Sequence, residues 1–471
     1  MGFAAFDNTY DWSKLATYRR VAAATPNGQI DLSVGSPVDP VPQSVQRALT
    51  AAANERNAFG YPKTIGTDDL RSAIAHWMRV CRGVDMDAIG AGVVPTVGSK
   101  EAVALMASLL GFGPGDVIIQ PKVSYPTYEI GTQIAGATVR KVDDVADIDS
   151  WRDIPGVKAI WINSPSNPTG AVLSADQLAG IVAAAREIGA MVLSDECYAM
   201  MDWRTATVHE DSNEARGANS FSLSSTPSAL SPAVCAGSAD GILMLYSLSK
   251  QSNMAGYRTA FIAGDAAVIA RMSTYRKQLG LIIPGPVQAA MAAGLRDVES
   301  VHTQWKRYHY RLDSLVTALR DYGYDAHMPQ GGLYVWVKAI NGDCWQDMAA
   351  LAELGIVPSP GEFYGAADSL RFSSTADDET IELACSALRR AGRREGACRW
   401  ADTVAGVNGV GGYMVSGAVR ELDTSRCLVP DSPLTPRLTA FTPYRWRTAS
   451  IACSASRRRV DLDSPLVESC S

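Results

Sequence analysis

Between residues 90 and 280 the chain alternates short, β-rich apolar runs with segments of helical period, and this alternation limits the fold more than any other feature. The runs lie at 116–120, 157–163, 190–194, 241–247 and 258–263, and helical patterns fill 100–110, 175–188 and 266–278. Strands that are apolar on both faces must be covered on both faces, which predicts a mostly parallel central sheet between layers of helix: an α/β fold.

The pattern changes after Pro284-Gly285-Pro286. A helical stretch over 287–322, short strands near 333–337 and 370–373, and a closing helix from 377 to about 394 predict a smaller α+β domain. Pro37, Pro40 and Pro42 break any regular element in the first forty residues, which are expected to lead back onto that domain. The predicted organisation is an N-terminal segment over 1–44, a large domain over 45–285, a small domain over 286–394 and a disordered tail over 395–471. Within the large domain, residues 211–240 are rich in Ser, Ala, Gly and Pro and read as a mobile surface insertion. The tail carries nine Arg, no Lys and no sustained period.

Composition narrows the function classes. With 43 Lys+Arg against 49 Asp+Glu the net charge is −6, which offers no general attraction to nucleic acid or to an anionic membrane. The apolar stretches fall short of the ~20 residues a membrane span needs. The opening MGFAAFDNTYDW has no basic leader, so a cytoplasmic protein is expected. Nine cysteines without a CxxC and five scattered histidines predict free thiols and no metal site.

Several motifs fall at strand ends, where open α/β sheets bind ligands. Ser247-Leu-Ser249-Lys250 closes the apolar run at 241–247, and Asn253-Met-Ala-Gly-Tyr-Arg258 follows. A lysine so placed is costly as a free cation and can form a Schiff base with a carbonyl cofactor. Arg258, with the Ser247 and Ser249 hydroxyls, suits a phosphate dianion. Asn163-Ser-Pro-Ser-Asn167-Pro-Thr-Gly170 follows the run at 157–163. Asp195, in Ser194-Asp-Glu-Cys-Tyr198, would be buried and in need of a cationic partner, or would cap the next turn. Gly98-Ser99-Lys100 opens an apolar helix, so its amides could cradle a phosphate. Tyr125 could stack on a flat ring or fill the core.

Taken together, Gly98-Ser99-Lys100, Tyr125, Asn167-Pro-Thr-Gly, Asp195 with Tyr198, Ser247-x-x-Lys250, Arg258 and Arg371 resemble the fold-type I pyridoxal 5'-phosphate (PLP) aminotransferases of class I/II. The intervals agree: 28 residues from Asn167 to Asp195, three more to Tyr198, and eight from Lys250 to Arg258. The resemblance spans about residues 10 to 393. The wording of 31–42, 163–170, 194–198, 247–258, 286–293 and 360–364 is similar to the actinobacterial N-succinyldiaminopimelate aminotransferases of lysine biosynthesis.

The resemblance implies a role for each residue. Lys250 would hold the cofactor and act as the catalytic base. Asp195 would keep the pyridine nitrogen protonated, and Asn167 and Tyr198 would bond the ring hydroxyl. Tyr125 would stack on the ring, while Gly98, Ser99, Lys100, Ser247, Ser249 and Arg258 would surround the phosphate. Tyr61 would reach the phosphate of a neighbouring subunit, implying a homodimer with shared sites. Arg371 would clamp the substrate α-carboxylate, with Asn167 beside it and Gly35 allowing backbone to approach, unless Gly35 is only a turn residue. Arg19, Arg20 and Lys63 are candidates for a second carboxylate. The expected reaction exchanges an amino group between N-succinyl-L,L-diaminopimelate and 2-oxoglutarate. The alternatives on this scaffold are an aspartate- or alanine-type aminotransferase and a C–S β-lyase. A regulator built on the same fold would need a DNA-binding module, and only about 30 residues precede the 31–42 motif, too few for a winged helix.

Overall fold

The computed structural model describes residues 10–204 and 225–407. In chain order the strands are β1 (Ile30–Asp31), β2 (Ala91–Val97), β3 (Val117–Pro121), β4 (Thr138–Val142), β5 (Val157–Asn163), β6 (Met191–Asp195), β7 (Ile242–Ser247), β8 (Thr259–Asp265), β9 (Tyr334–Lys338), β10 (Ile356–Val357), β11 (Ser359–Pro360) and β12 (Ser369–Ser373). Seven of them form one sheet in the order β2-β8-β7-β6-β5-β3-β4. All its pairings are parallel except those of β8, which runs against both β2 and β7.

Alternation along the central strands puts apolar side chains on both faces, as a sheet covered on both sides requires. Ile160 and Ile162 of β5 join one core with Val192, Ile242, Met244 and Phe261. Ala159 and Trp161 join the opposite core with Leu193, Leu243, Leu245 and Ile262. Ser174 and Gln177 form a reciprocal capping box on the helix Ala175–Glu187, and Asp265 caps the helix Ala266–Gln278.

A third core gathers Leu15, Ala22, Ile30 and Leu32 with Leu312, Leu319, Leu333, Val335, Ile356, Leu370, Phe372 and Leu388. It underlies an antiparallel sheet in the order β11-β12-β9 and the parallel pair β1-β10. The helical stretch expected over 287–322 is two helices, Gly285–Arg296 and Val298–Tyr322. They break at Asp297, whose backbone leaves the helical path and whose side chain accepts from the Ser300 amide at 3.0 Å.

Residues 225–240, expected on the surface as part of an insertion, instead send part of their length into the core, while Pro232, Ala233, Ala236, Gly237 and Asp240 stay exposed. Ala229, Leu230, Cys235 and Ala239 are fully buried, and Pro232–Cys235 forms a short helix. The physical reason is a buried ion pair. Glu196 meets Arg82 at 2.5 Å with both side chains enclosed, and the two need further partners. The Ala229 amide and the Ser228 hydroxyl donate to Glu196 at 2.8 and 3.2 Å, and Arg82 donates to the Thr226 carbonyl at 2.7 Å. Residues 211–224 of the expected insertion fall outside the described residues. The closing helix, Asp378–Val407, continues past its expected end at 394, and the tail beyond it is likewise outside them. Among the described residues five cysteines are free and buried, no group of His, Cys, Asp and Glu could hold a metal ion, and no helix is long and apolar enough to cross a membrane.

Candidate active site

Sheet register gathers the motifs along one edge. Asn163 pairs with Asp195 at the ends of β5 and β6, Ser247 ends β7 opposite Ala260, and Val97 ends β2 opposite Thr259. Because β8 runs backwards, Arg258, immediately before it, arrives at the same edge as the residues that follow β2, β5, β6 and β7.

Asp195 is buried at the end of β6. Its Oδ1 accepts from the Cys197 amide at 3.1 Å and its Oδ2 from the Tyr128 hydroxyl at 2.8 Å. Burial raises its pKa, against the pull of these hydrogen bonds. Tyr128 is itself enclosed and stacks on Trp161, with ring centres 4.6 Å apart. The edge of Tyr125 meets Tyr128 at 5.8 Å.

Lys250 lies on the single turn Leu248–Gln251, and its amine donates to the Gly35 carbonyl. Burial lowers its pKa; Arg371 and Arg258 push the same way, against the opposite pull of Tyr334 and Cys197. Gly35 is more than a turn residue: a Cβ there would run into the Tyr334 hydroxyl and come within 2.8 Å of its Cζ.

At the phosphate-type corner Gly98 has φ +77°, and a Cβ on it would lie 2.6 Å from the Arg258 Cζ. Arg258 donates to the Ala255 carbonyl at 2.9 Å from a left-handed backbone. Gly98 caps the helix Ser99–Leu109 without a side-chain bond, so the first-turn amides of Ser99 and Lys100 face outward with no helical acceptor. The Lys100 side chain is exposed. Ser247 Oγ lies 2.9 Å from Ser249 Oγ and donates to the Thr259 carbonyl at 3.2 Å.

Arg371 is buried in β12. It donates to Asn167 Oδ1 at 2.8 Å and to the Ser33 carbonyl at 2.7 Å, and its guanidinium carbon sits 4.0 Å from the ring centre of Tyr334 and 4.7 Å from that of Tyr364. Its Nε is buried with no partner, and it has no carboxylate partner among the described residues. Asn167 is fixed in turn, its amide donating to Asn163 Oδ1 at 2.7 Å. Tyr198 OH meets Tyr334 OH at 3.0 Å.

Other expected residues stay apart from this cluster. Tyr61 is fully exposed, as is much of Phe59. Lys63 pairs on the surface with Asp68 at 3.5 Å, and Arg20 is exposed. Arg19 bonds Asp31 at 3.3 Å and Ser33 Oγ at 3.4 Å, one residue removed from Arg371.

The family model for aminotransferases of class I and II matches residues 27–388. The chain belongs to the class I and II aminotransferases. It is 42% identical over 382 residues to the 4-dedimethylamino-4-oxo-anhydrotetracycline transaminase OxyQ of Streptomyces rimosus, covering 80% of this chain and 98% of that one. It is 38% identical to the probable aminotransferase Rv1178 of Mycobacterium tuberculosis, covering 82% and 86%, and 29% identical to an LL-diaminopimelate aminotransferase of Syntrophobacter fumaroxidans, covering 77% and 90%. Among solved structures, an aspartate aminotransferase of Thermus thermophilus shares the fold with a TM-score of 0.70 at 22% identity, covering 83% of this chain and all of that one.

Aminotransferases of this class depend on PLP, and the residues of this site fit that cofactor. Its three chemical handles are an aldehyde, a basic ring nitrogen and a phosphate. Opposite them stand an amine without a carboxylate partner among the described residues, a buried carboxylate, and a corner of outward amides with a guanidinium that a single Cβ would displace. Tyr128, Tyr334, Tyr364, Asn163 and Ser33 had no role assigned from the sequence. Asn163, Ser33 and Tyr364 lie within segments quoted for the resemblance, Tyr128 repeats the tyrosine at 125, and Tyr334 had no signal.

Proposed function

We propose that this aminotransferase moves an amino group between N-succinyl-L,L-diaminopimelate and 2-oxoglutarate, reversibly, in the diaminopimelate and lysine pathway. The observation that carries an amino-acid substrate is Arg371: a buried cation close to two aromatic rings, with an unsatisfied Nε and no carboxylate partner among the described residues. A carboxylate entering beside it meets a planar fork already oriented by Asn167 and the Ser33 carbonyl. The succinylated diaminopimelate skeleton is supported by the segments quoted above and by the likeness to LL-diaminopimelate aminotransferases.

Bound PLP supplies a carbonyl carbon to carry the amino group and a ring that accepts the electrons released at the substrate Cα. Lys250 would hold it, Asp195 would keep the proton on the ring nitrogen, Asn167 and Tyr198 would face the ring oxygen, and Tyr125 would lie against the ring. Gly98, Ser99, Lys100, Ser247, Ser249 and Arg258 would surround the phosphate, Lys100 through its amide. Desolvation lowers the Lys250 pKa, which favours the neutral amine that would accept the proton from the substrate Cα. The exposed aromatics Phe59 and Tyr61 support a homodimer in which Tyr61 completes the partner's phosphate site.

The 42% identity to OxyQ favours a second reading, in which the acceptor is a bulky cyclic ketone. Product analysis separates the readings. Incubation of the holoenzyme with glutamate and either the keto form of N-succinyldiaminopimelate or a tetracyclic ketone should aminate the first far faster. Preference for the second would replace the substrate assignment and leave the transaminase class intact. Pyruvate and ammonia from cystathionine would point to the lyase.

A further inference from the structure

Tyr334 belongs to no motif of the sequence, yet it touches both halves of the site. It opens β9, and its neighbour Gly332 is tied across to the large sheet's side of the molecule: the Gly332 amide donates to the Met201 carbonyl at 2.8 Å, and Trp203 Nε1 donates to the Gly332 carbonyl at 2.7 Å. In the antiparallel register Tyr334 pairs with Ser373 and Arg371 with Trp336. Tyr334 and Arg371 are therefore diagonal neighbours on one face, within reach of each other's side chains. The ring carries the Arg371 guanidinium at 4.0 Å, and the hydroxyl meets Tyr198 OH at 3.0 Å and fills the space a Cβ on Gly35 would need. The residue is 2% exposed, so these contacts are made away from water, where a cation over a ring face and a hydroxyl pair are both strengthened.

We propose that Tyr334 is a positioning residue that sets two functions at once, its ring fixing the plane of Arg371 for the substrate carboxylate and its hydroxyl fixing the direction of the Tyr198 hydroxyl toward the cofactor. This rests on the roles proposed above for Arg371 and Tyr198. Burial pushes the Tyr334 phenol upward, but Arg371, Lys250 and Tyr198 together bring it below its ordinary value. A phenol held between these groups cannot be replaced by a merely bulky side chain without changing their electrostatics.

The two functions separate by substitution. Tyr334→Phe keeps the ring and removes the hydroxyl; Tyr334→Leu removes both. In PLP-loaded enzyme, Tyr334→Phe should shift the pH at which the cofactor's visible absorbance changes, in the same direction as Tyr198→Phe and by about half a unit or more. It should leave the KM for glutamate within about twofold. Tyr334→Leu should show the same spectral shift and raise that KM roughly 10- to 30-fold, as expected for a desolvated cation losing its aromatic face. Tyr198→Phe and Arg371→Leu run beside them as controls. If Tyr198→Phe moves the spectrum and Arg371→Leu raises KM while the Tyr334 variants do neither, the inference fails and the site assignment stands. If the controls themselves are silent, the assignment of Tyr198 and Arg371 fails and the inference falls with it. Equal KM values for the Phe and Leu variants would overturn the role of the ring alone.

Discussion

Replacing Gly98 with Ala tests the phosphate corner, because the backbone and the neighbouring side chain forbid the methyl group for different reasons. At φ +77° and ψ 160° the residue sits in a region that only glycine populates readily, so the substitution costs about 1–3 kcal/mol in backbone strain. The new Cβ would also lie 2.6 Å from the Arg258 Cζ, well inside van der Waals contact, and would drive the guanidinium off the helix start. Loss of one charge-assisted bond to a phosphate is worth about 1.5–3 kcal/mol, which predicts PLP binding weakened roughly 10- to 150-fold. Gly111 supplies the control: it has nearly the same φ, +76°, but open space around its Cβ position. Gly111→Ala should lower stability and leave PLP affinity alone. Titration of apoenzyme with PLP, followed by absorbance, measures both variants. If Gly98→Ala binds PLP within about twofold of wild type, Arg258 does not hold the phosphate in the way described.

Other consequences concern stability and pH. Arg82→Met strips the enclosed Glu196 of its counter-ion and should lower the unfolding free energy by about 3–5 kcal/mol in urea, with Arg82→Met/Glu196→Leu recovering much of the loss; a cost below about 1 kcal/mol would show that residues 225–230 are not anchored by this pair. Lys250 has a lowered folded pKa, so the unfolded chain holds more protons between that value and the ordinary 10.5, and the penalty of burying the cation is relieved as pH rises through that window. Apo Lys250→Met should therefore be more stable than apo wild type at neutral pH, with an advantage that shrinks towards pH 10; a melting-temperature difference that does not vary with pH would contradict this. Tyr128→Phe takes from Asp195 the hydroxyl at 2.8 Å and should cut kcat roughly 10-fold or more while KM changes little; an unchanged kcat would mean that the Cys197 amide alone suffices.

The residues readable in the sequence are those whose chemistry conflicts with their surroundings. Asp195 stands out because it ends an apolar strand and Lys250 because it follows one within three residues, and both lie at the edge where such sheets bind ligands. The central strands β5, β6 and β7 are equally plain, being apolar on both faces. The edge strands β2 and β4 lack that signature. β4 exposes Thr138, Arg140 and Lys141, and β2 carries Pro95, which an edge tolerates. Tyr334 and Tyr364 are invisible for another reason: tyrosines in short strands are ordinary core residues until the register lays a guanidinium on them. Residues 225–240 mislead because Ser, Ala and Pro serve a solvated loop and a tight buried turn alike. The enclosed ion pair beneath, 2.5 Å long, distinguishes the two.

The most direct test of the whole account is the absorption spectrum of the PLP-loaded protein, wild type and Lys250→Ala, before and after N-succinyl-L,L-diaminopimelate, with glutamate, aspartate and alanine in parallel. The account predicts that the wild type shows a visible band that the succinylated substrate and glutamate rapidly convert to the pyridoxamine form, and that the Lys250→Ala protein has neither the band nor turnover. A visible band and turnover that survive in Lys250→Ala would contradict the central assignment, and a wild-type band that bleaches best with another amino acid would overturn the substrate.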